Sequence, residues 1–174
     1  MKISSLFVLL FLLSGSAINA QTYREYYPNG TVKLEGDTFN GAFTYFYESG
    51  EVFLTGFTRR GVKDSIWNYY NEQKLLSMRE VFRGGQMAVK RTWKYYPDGQ
   101  LGEDLKLTYL RASNGGDSTN ITREWKFWYE NGEPAADLII INNQDMGSSY
   151  WNRKGEVIRR EDWLIEMRME AENK

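Results

Sequence analysis

Tyr95-Tyr96-Pro97-Asp98-Gly99-Gln100-Leu101 is the stretch that decides the fold. An aromatic pair meets a tight polar turn, and an apolar position follows two residues past it. Five more pairs repeat the phrase: Tyr26-Tyr27, Phe46-Tyr47, Tyr69-Tyr70, Trp128-Tyr129 and Tyr150-Trp151. The steps between first members are 20, 23, 26, 33 and 22 residues. A period of that size marks a repeat protein, in which each unit buries its apolar side against its neighbours.

Around the phrase the chain alternates in strand fashion. Phe43, Tyr45 and Tyr47 fall on one side of an incoming strand, and Thr44 and Phe46 on the other. Val32 and Leu34, Val52 and Leu54, and Leu76 and Met78 alternate in the outgoing strands. Asn40-Gly41 reads as a two-residue hairpin turn. Residues 113–120 are small and polar and predict an enlarged loop, which accounts for the step of 33 residues. From residue 160 the spacing turns helical, with Trp163, Leu164, Met167 and Ala171 as the apolar stripe. The expectation is all-β: an antiparallel meander of tandem β-hairpins, about twelve strands, closed by a short C-terminal helix that caps the last repeat. The predicted organisation is a leader over 1–20, the repeat domain over 21–160 and the helix over 161–174.

The leader rests on Lys2, on eight apolar residues from Leu6 to Leu13, and on a small-residue stretch ending at Ala20. Eight residues fall far short of the roughly 20 that span a bilayer. The expectation is therefore a secreted or periplasmic protein with no stable membrane anchor once the leader is removed. No Cys follows the run for a bacterial lipid anchor.

Composition narrows the chemistry further. The chain has neither Cys nor His, which excludes disulfides, thiol and imidazole catalysis, and nitrogen or sulfur metal sites. Without Lys2, 21 basic residues face 23 acidic ones, so nothing favours nucleic acid. No cofactor and no metal is expected. Asn114, Asp117, Ser118 and Asn120 offer oxygen ligands, but a single carboxylate is too few for Ca²⁺. Glu103, Asp104, Glu124 and Glu130 could serve a hydrolase, yet no feature selects a pair. The Asn29-Gly30-Thr31 and Asn120-Ile121-Thr122 triplets read as turn and loop sequence.

The strings Glu35-Gly36-Asp37-Thr38-Phe39-Asn40-Gly41, Trp67-Asn68-Tyr69-Tyr70, Trp93-Lys94-Tyr95-Tyr96 and Trp125-Lys126-Phe127-Trp128-Tyr129 resemble the MORN-variant repeat. The form is similar to the bacterial YwqK-type family, often labelled as antitoxins, and the likeness covers residues 23–160. Ser65, Arg91 and Arg123 stand where family copies carry Gly, Gln73 replaces the turn Gly of the third copy, and the last copy lacks the Trp. The resemblance implies a stacked hairpin sheet with an interaction role and no catalysis.

Alternation then divides the aromatics. Phe43, Trp67, Tyr69, Trp93, Tyr95, Trp125 and Phe127 are expected to form the packed repeat core. Phe46, Tyr70, Tyr96 and Trp128, flanked by Lys94 and Lys126, are expected as a row on the polar face. Such a row can hold a protein partner or stack on sugar rings, because Tyr and Trp join apolar area to a polar tip. The sequence therefore points to a non-enzymatic module for protein–protein interaction at the cell envelope, including antitoxin- or immunity-like neutralisation. Carbohydrate or cell-wall binding is the alternative. Cross-strand packing of the row alone is the plainer reading beside both.

Overall fold

The computed structural model describes residues 23–111 and 119–172. Residues 1–22, which include the expected leader, residues 112–118 with Asn114, Asp117 and Ser118, and the last two residues lie outside that range. The strands are β1 (Tyr23–Tyr26), β2 (Val32–Gly36), β3 (Ala42–Phe46), β4 (Val52–Arg59), β5 (Val62–Tyr70), β6 (Leu76–Arg83), β7 (Gln86–Tyr95), β8 (Leu101–Arg111), β9 (Thr119–Trp128), β10 (Pro134–Ile141), β11 (Gln144–Asp145) and β12 (Ser149–Tyr150). One helix, α1 (Arg160–Glu172), follows. The strands form a single antiparallel sheet in sequence order, with β11 and β12 both paired to β10. Among the described residues no pairing joins β1 to the far end, and the sheet is open.

The hydrogen bonds define the repeat more sharply than the aromatic pairs do. Six anchor residues, Tyr27, Tyr47, Asn71, Tyr96, Tyr129 and Asn152, each donate an N–H to the carbonyl four residues on, at 2.8–2.9 Å. Each anchor carbonyl accepts from the N–H three residues on, at 2.9 Å. That third residue is left-handed in every copy: Gly30, Gly50, Lys74, Gly99, Gly132 and Gly155, with φ from 65° to 90°. The residue before each anchor pairs six residues ahead: Tyr26↔Val32, Phe46↔Val52, Tyr70↔Leu76, Tyr95↔Leu101, Trp128↔Pro134 and Trp151↔Val157. The third and sixth units are therefore Tyr70-Asn71 and Trp151-Asn152, one residue later than the aromatic pairs suggested. Lys74, and not Gln73, stands at the turn Gly position.

Tyrosine anchors tie neighbouring copies together. Tyr27 donates to the Phe46 carbonyl, Tyr47 to that of Tyr70, and Tyr96 to that of Trp128, at 2.7–2.8 Å. The Tyr129 hydroxyl lies 2.8 Å from both the Trp151 carbonyl and the Glu166 carboxylate. Asn71 and Asn152 instead turn their side chains back on their own turns, accepting from Leu75 and from Lys154 and Glu156. The Asn40-Gly41 expectation is corrected too. The chain there makes a wider loop, in which the Asp37 carboxylate accepts from the N–H groups of Phe39 and Asn40. Two-residue turns with both φ positive occur at Arg60-Gly61, Gly84-Gly85 and Asn142-Asn143.

The buried apolar residues fall in two clusters on one face of the sheet. The first holds Leu34, Phe43, Leu54, Trp67 and Phe82. Phe43 and Trp67 meet edge to face at 5.2 Å, over Gly56. A Cβ at Gly56 would stand 2.9 Å from the Trp67 ring and 3.1 Å from Phe43, so only glycine lets the two rings close there. The second cluster holds Tyr129, Ala135, Ala136, Tyr150 and Trp163. Trp163 of α1 packs on Tyr150 at 5.2 Å and on Phe127 at 5.5 Å. Of the expected helical stripe, Trp163 is buried and Met167 half-buried, while Leu164 is exposed. The Ala171 side chain lies outside those described. No helix among the described residues is long and apolar enough to cross a membrane.

Candidate functional site

Residues paired directly across an antiparallel sheet share a face. The pairings Leu34↔Tyr45↔Leu54↔Tyr69↔Met78↔Thr92↔Leu105↔Trp125↔Leu138 trace the helix face from end to end. Phe43, Trp67, Tyr69, Trp125 and Phe127 lie on it. Trp93 does not: it pairs with Asp104, which pairs with Lys126, and this line runs along the open face.

The reason is a slip of one residue. Phe43, Trp67 and Trp125 stand four residues before their anchors, and Trp93 stands three before Tyr96. With a side-chain period of two, a shift of one sends the side chain to the other side. Trp93 and Tyr95 therefore occupy the open face, and Thr92 and Lys94 take the helix-face places that aromatics hold in other copies. Arg91 confirms the assignment, lying 5.2 Å over the Trp93 ring while holding both oxygens of Asp104 across the strand.

The six residues that precede the anchors make the open-face row: Tyr26, Phe46, Tyr70, Tyr95, Trp128 and Trp151. Three of the four expected members are among them. Tyr96 is not; it is an anchor, and it lies on the helix face with Lys94, Glu103, Phe127 and Met167 around a cleft of about 250 Å³. Lys94 is paired there with Glu103 at 2.7 Å. Lys126 is on the open face, paired with Asp137 at 2.7 Å. The two lysines expected beside one row are on opposite sides of the sheet. Tyr95 and Trp151 were missed because alignment on aromatic pairs cannot see the anchor. Alignment on the left-handed turn residue would have found both.

Cross-strand charge pairs run beside the row. Arg24 meets Glu35 at 2.7 Å, Lys106 meets Glu124 at 2.6 Å, and Arg91 meets Asp104. Arg79 donates to Asn68 at 2.8 Å. Burial pushes the Tyr95 phenol above its ordinary range, and the nearby Asp104 charge adds to it. The Tyr95 hydroxyl donates to the Leu76 carbonyl at 2.8 Å. Three nominated carboxylates, Glu103, Asp104 and Glu124, are thus each held by a cation. Asn120 accepts from the Asn142 side chain at 2.8 Å. Among the described residues no group of three His, Cys, Asp or Glu side chains is placed to hold a metal ion.

On the helix face Lys63 bridges Glu80 at 2.8 Å and the Tyr69 hydroxyl at 2.9 Å, 4.3 Å above the Trp67 ring. Burial is the largest single influence and works against its charge, but the hydrogen bonds and charge attraction of Glu80 and Tyr69 together outweigh it and the ammonium pKa rises. The arrangement closes the first cluster.

The fold and its open face define a β-hairpin repeat protein. Residues 22–40 match the family model described as the MORN repeat variant, which supports reading the chain as a MORN-repeat protein. The match spans the first anchor, its turn, β2 and most of the loop that follows. No curated protein matches the chain.

Proposed function

We propose that the chain is a non-catalytic binding module that engages a protein partner at the cell envelope through its open face. The observation that carries this reading is the row itself. All six copies place an aromatic residue at the same position, on the side that neither core cluster nor α1 covers. The turn bonds are backbone bonds and do not require an aromatic there. MORN repeats generally mediate protein or membrane binding. Likeness to the YwqK-type family extends the proposal to neutralising or tethering a partner, and the apolar run at Leu6–Leu13 extends it to export.

The test replaces Phe46, Tyr70, Tyr95 and Trp128 together by Thr, a residue that suits strands. The variant should keep its far-ultraviolet dichroism and lose the protein that the native chain retains from an envelope extract. Equal retention by a folded variant rejects the row. N-terminal sequencing of the exported protein should begin at Gln21.

Carbohydrate binding is the second reading. It is favoured by one place on the open face, where Trp128 and Trp151 flank a cleft of about 210 Å³.

A further inference from the structure

At that place the row stops being a strip and becomes a cleft. Trp128 and Trp151 precede consecutive anchors and line it together with Pro134 and the Lys126–Asp137 pair. Neither indole N–H has an acceptor among the described residues. The ion pair, at 2.7 Å, is open to solvent on both sides, with side-chain exposures of 49% and 38%. The cleft thus presents flat apolar rings, free N–H donors, an ammonium donor and a carboxylate acceptor within one small volume.

We infer that the Trp128–Trp151 cleft is a subsite for one pyranose ring of a neutral saccharide, an inference that rests on the carbohydrate reading above. An indole face takes the C–H side of a sugar ring, and the hydroxyl rim both donates and accepts. A proline-rich segment fits the rings and could accept from the indoles, but it has no donor for Asp137. A ligand that displaces water from the open carboxylate oxygen of Asp137 without replacing its hydrogen bond loses affinity. Charge decides between neutral and acidic sugars: Lys126 is neutralised by Asp137, so the cleft offers no net positive charge to a uronate. At about 210 Å³ the cleft is below the roughly 300–1,000 Å³ of sites for larger ligands, so it holds one ring of a chain that runs across it.

The experiment is calorimetric titration of the full chain with cellotetraose, maltotetraose, mannotetraose and chitotetraose, with trigalacturonate and decaproline as controls. At least one neutral tetrasaccharide should bind. Trp128→Ala and Trp151→Ala should each weaken it about tenfold or more, as loss of a Trp anchor does. Trp128→Phe, which keeps a ring and drops the N–H, should weaken it less. Phe39→Ser, at an exposed residue of the loop between β2 and β3 and outside the row, should leave it unchanged. Binding of no neutral saccharide overturns both the inference and the carbohydrate reading. Saccharide binding that falls with Phe46→Ser and survives Trp151→Ala overturns the inference alone, as does preference for trigalacturonate. Decaproline binding lost in Trp151→Ala, with no saccharide bound, assigns the cleft to a peptide.

Discussion

Lys74 holds a left-handed backbone, φ 65°, where five other copies hold glycine. An L-residue there costs roughly 1–2 kcal/mol through its Cβ. The side chain gives little back. Its pair with Glu51, at 3.0 Å, has side-chain exposures of 69% and 41%, and exposed pairs of this kind contribute close to nothing. Lys74→Gly should therefore raise stability by about 0.5–1 kcal/mol, measured by urea denaturation. The same substitution at Lys154, which precedes the turn glycine Gly155, should not stabilise. This residue shows why one turn was misread in the sequence. Four-residue turns look alike whether the left-handed place holds Gly or Lys, and only the hydrogen bonds of Asn71 locate it.

At the level of the strand, β7 is the informative element. Its alternation was legible in the sequence, but its phase was not. The Trp-x-aromatic string looks the same in Trp67-Asn68-Tyr69 and Trp93-Lys94-Tyr95, and nothing in either string states its distance to the next anchor. The structure puts Trp67 in the core, 7% exposed, and Trp93 on the open face against Arg91. The two tryptophans should behave differently on truncation. Trp67→Ala removes the centre of a cluster and should cost about 3–5 kcal/mol. Trp93→Ala removes a half-buried ring and one cation–π contact, and should cost about 1 kcal/mol. Equal losses in urea denaturation would place both rings on one face. The candidate row was legible to the same extent: Phe46, Tyr70 and Trp128 follow from alternation, whereas Tyr95 and Trp151 depend on the anchor.

Across the whole molecule, two consequences follow from how the faces are filled. The first is a pH dependence. Burial chiefly raises the phenols of Tyr47, Tyr69 and Tyr95 above their ordinary 10.0, against some opposing help to ionisation from Lys63 at Tyr69. Lys63 itself is raised. A folded pKa above the unfolded one means that the native state keeps protons the unfolded chain has lost. Their contribution is complete below about pH 10 and disappears as pH rises through the folded values. With no His in the chain, stability should be nearly level from pH 6 to 9 and fall above 10, read from denaturation midpoints. A midpoint that holds steady to pH 11 would contradict the hydroxyl-to-carbonyl bonds of Tyr47 and Tyr95. The second consequence begins with the slip at Trp93. It puts Thr92 and Lys94 on the helix face of the middle copy, where the neighbouring copies have Trp67 with Tyr69 and Trp125 with Phe127. The buried clusters stop on either side of this gap, which is crossed by one hydroxyl bond from Tyr95 to the Leu76 carbonyl in place of an anchor tie from Asn71. In a stack whose units touch only their neighbours, a weak junction separates regions of different stability. Trp163→Ala removes a helix residue buried in the second cluster, and a buried Trp loss costs about 3–5 kcal/mol. Hydrogen exchange should show lost protection in β10, β12 and α1, with β2 to β5 exchanging as in the native chain. Uniform loss across all strands would mean that the gap at β7 transmits stability as fully as the aromatic copies do.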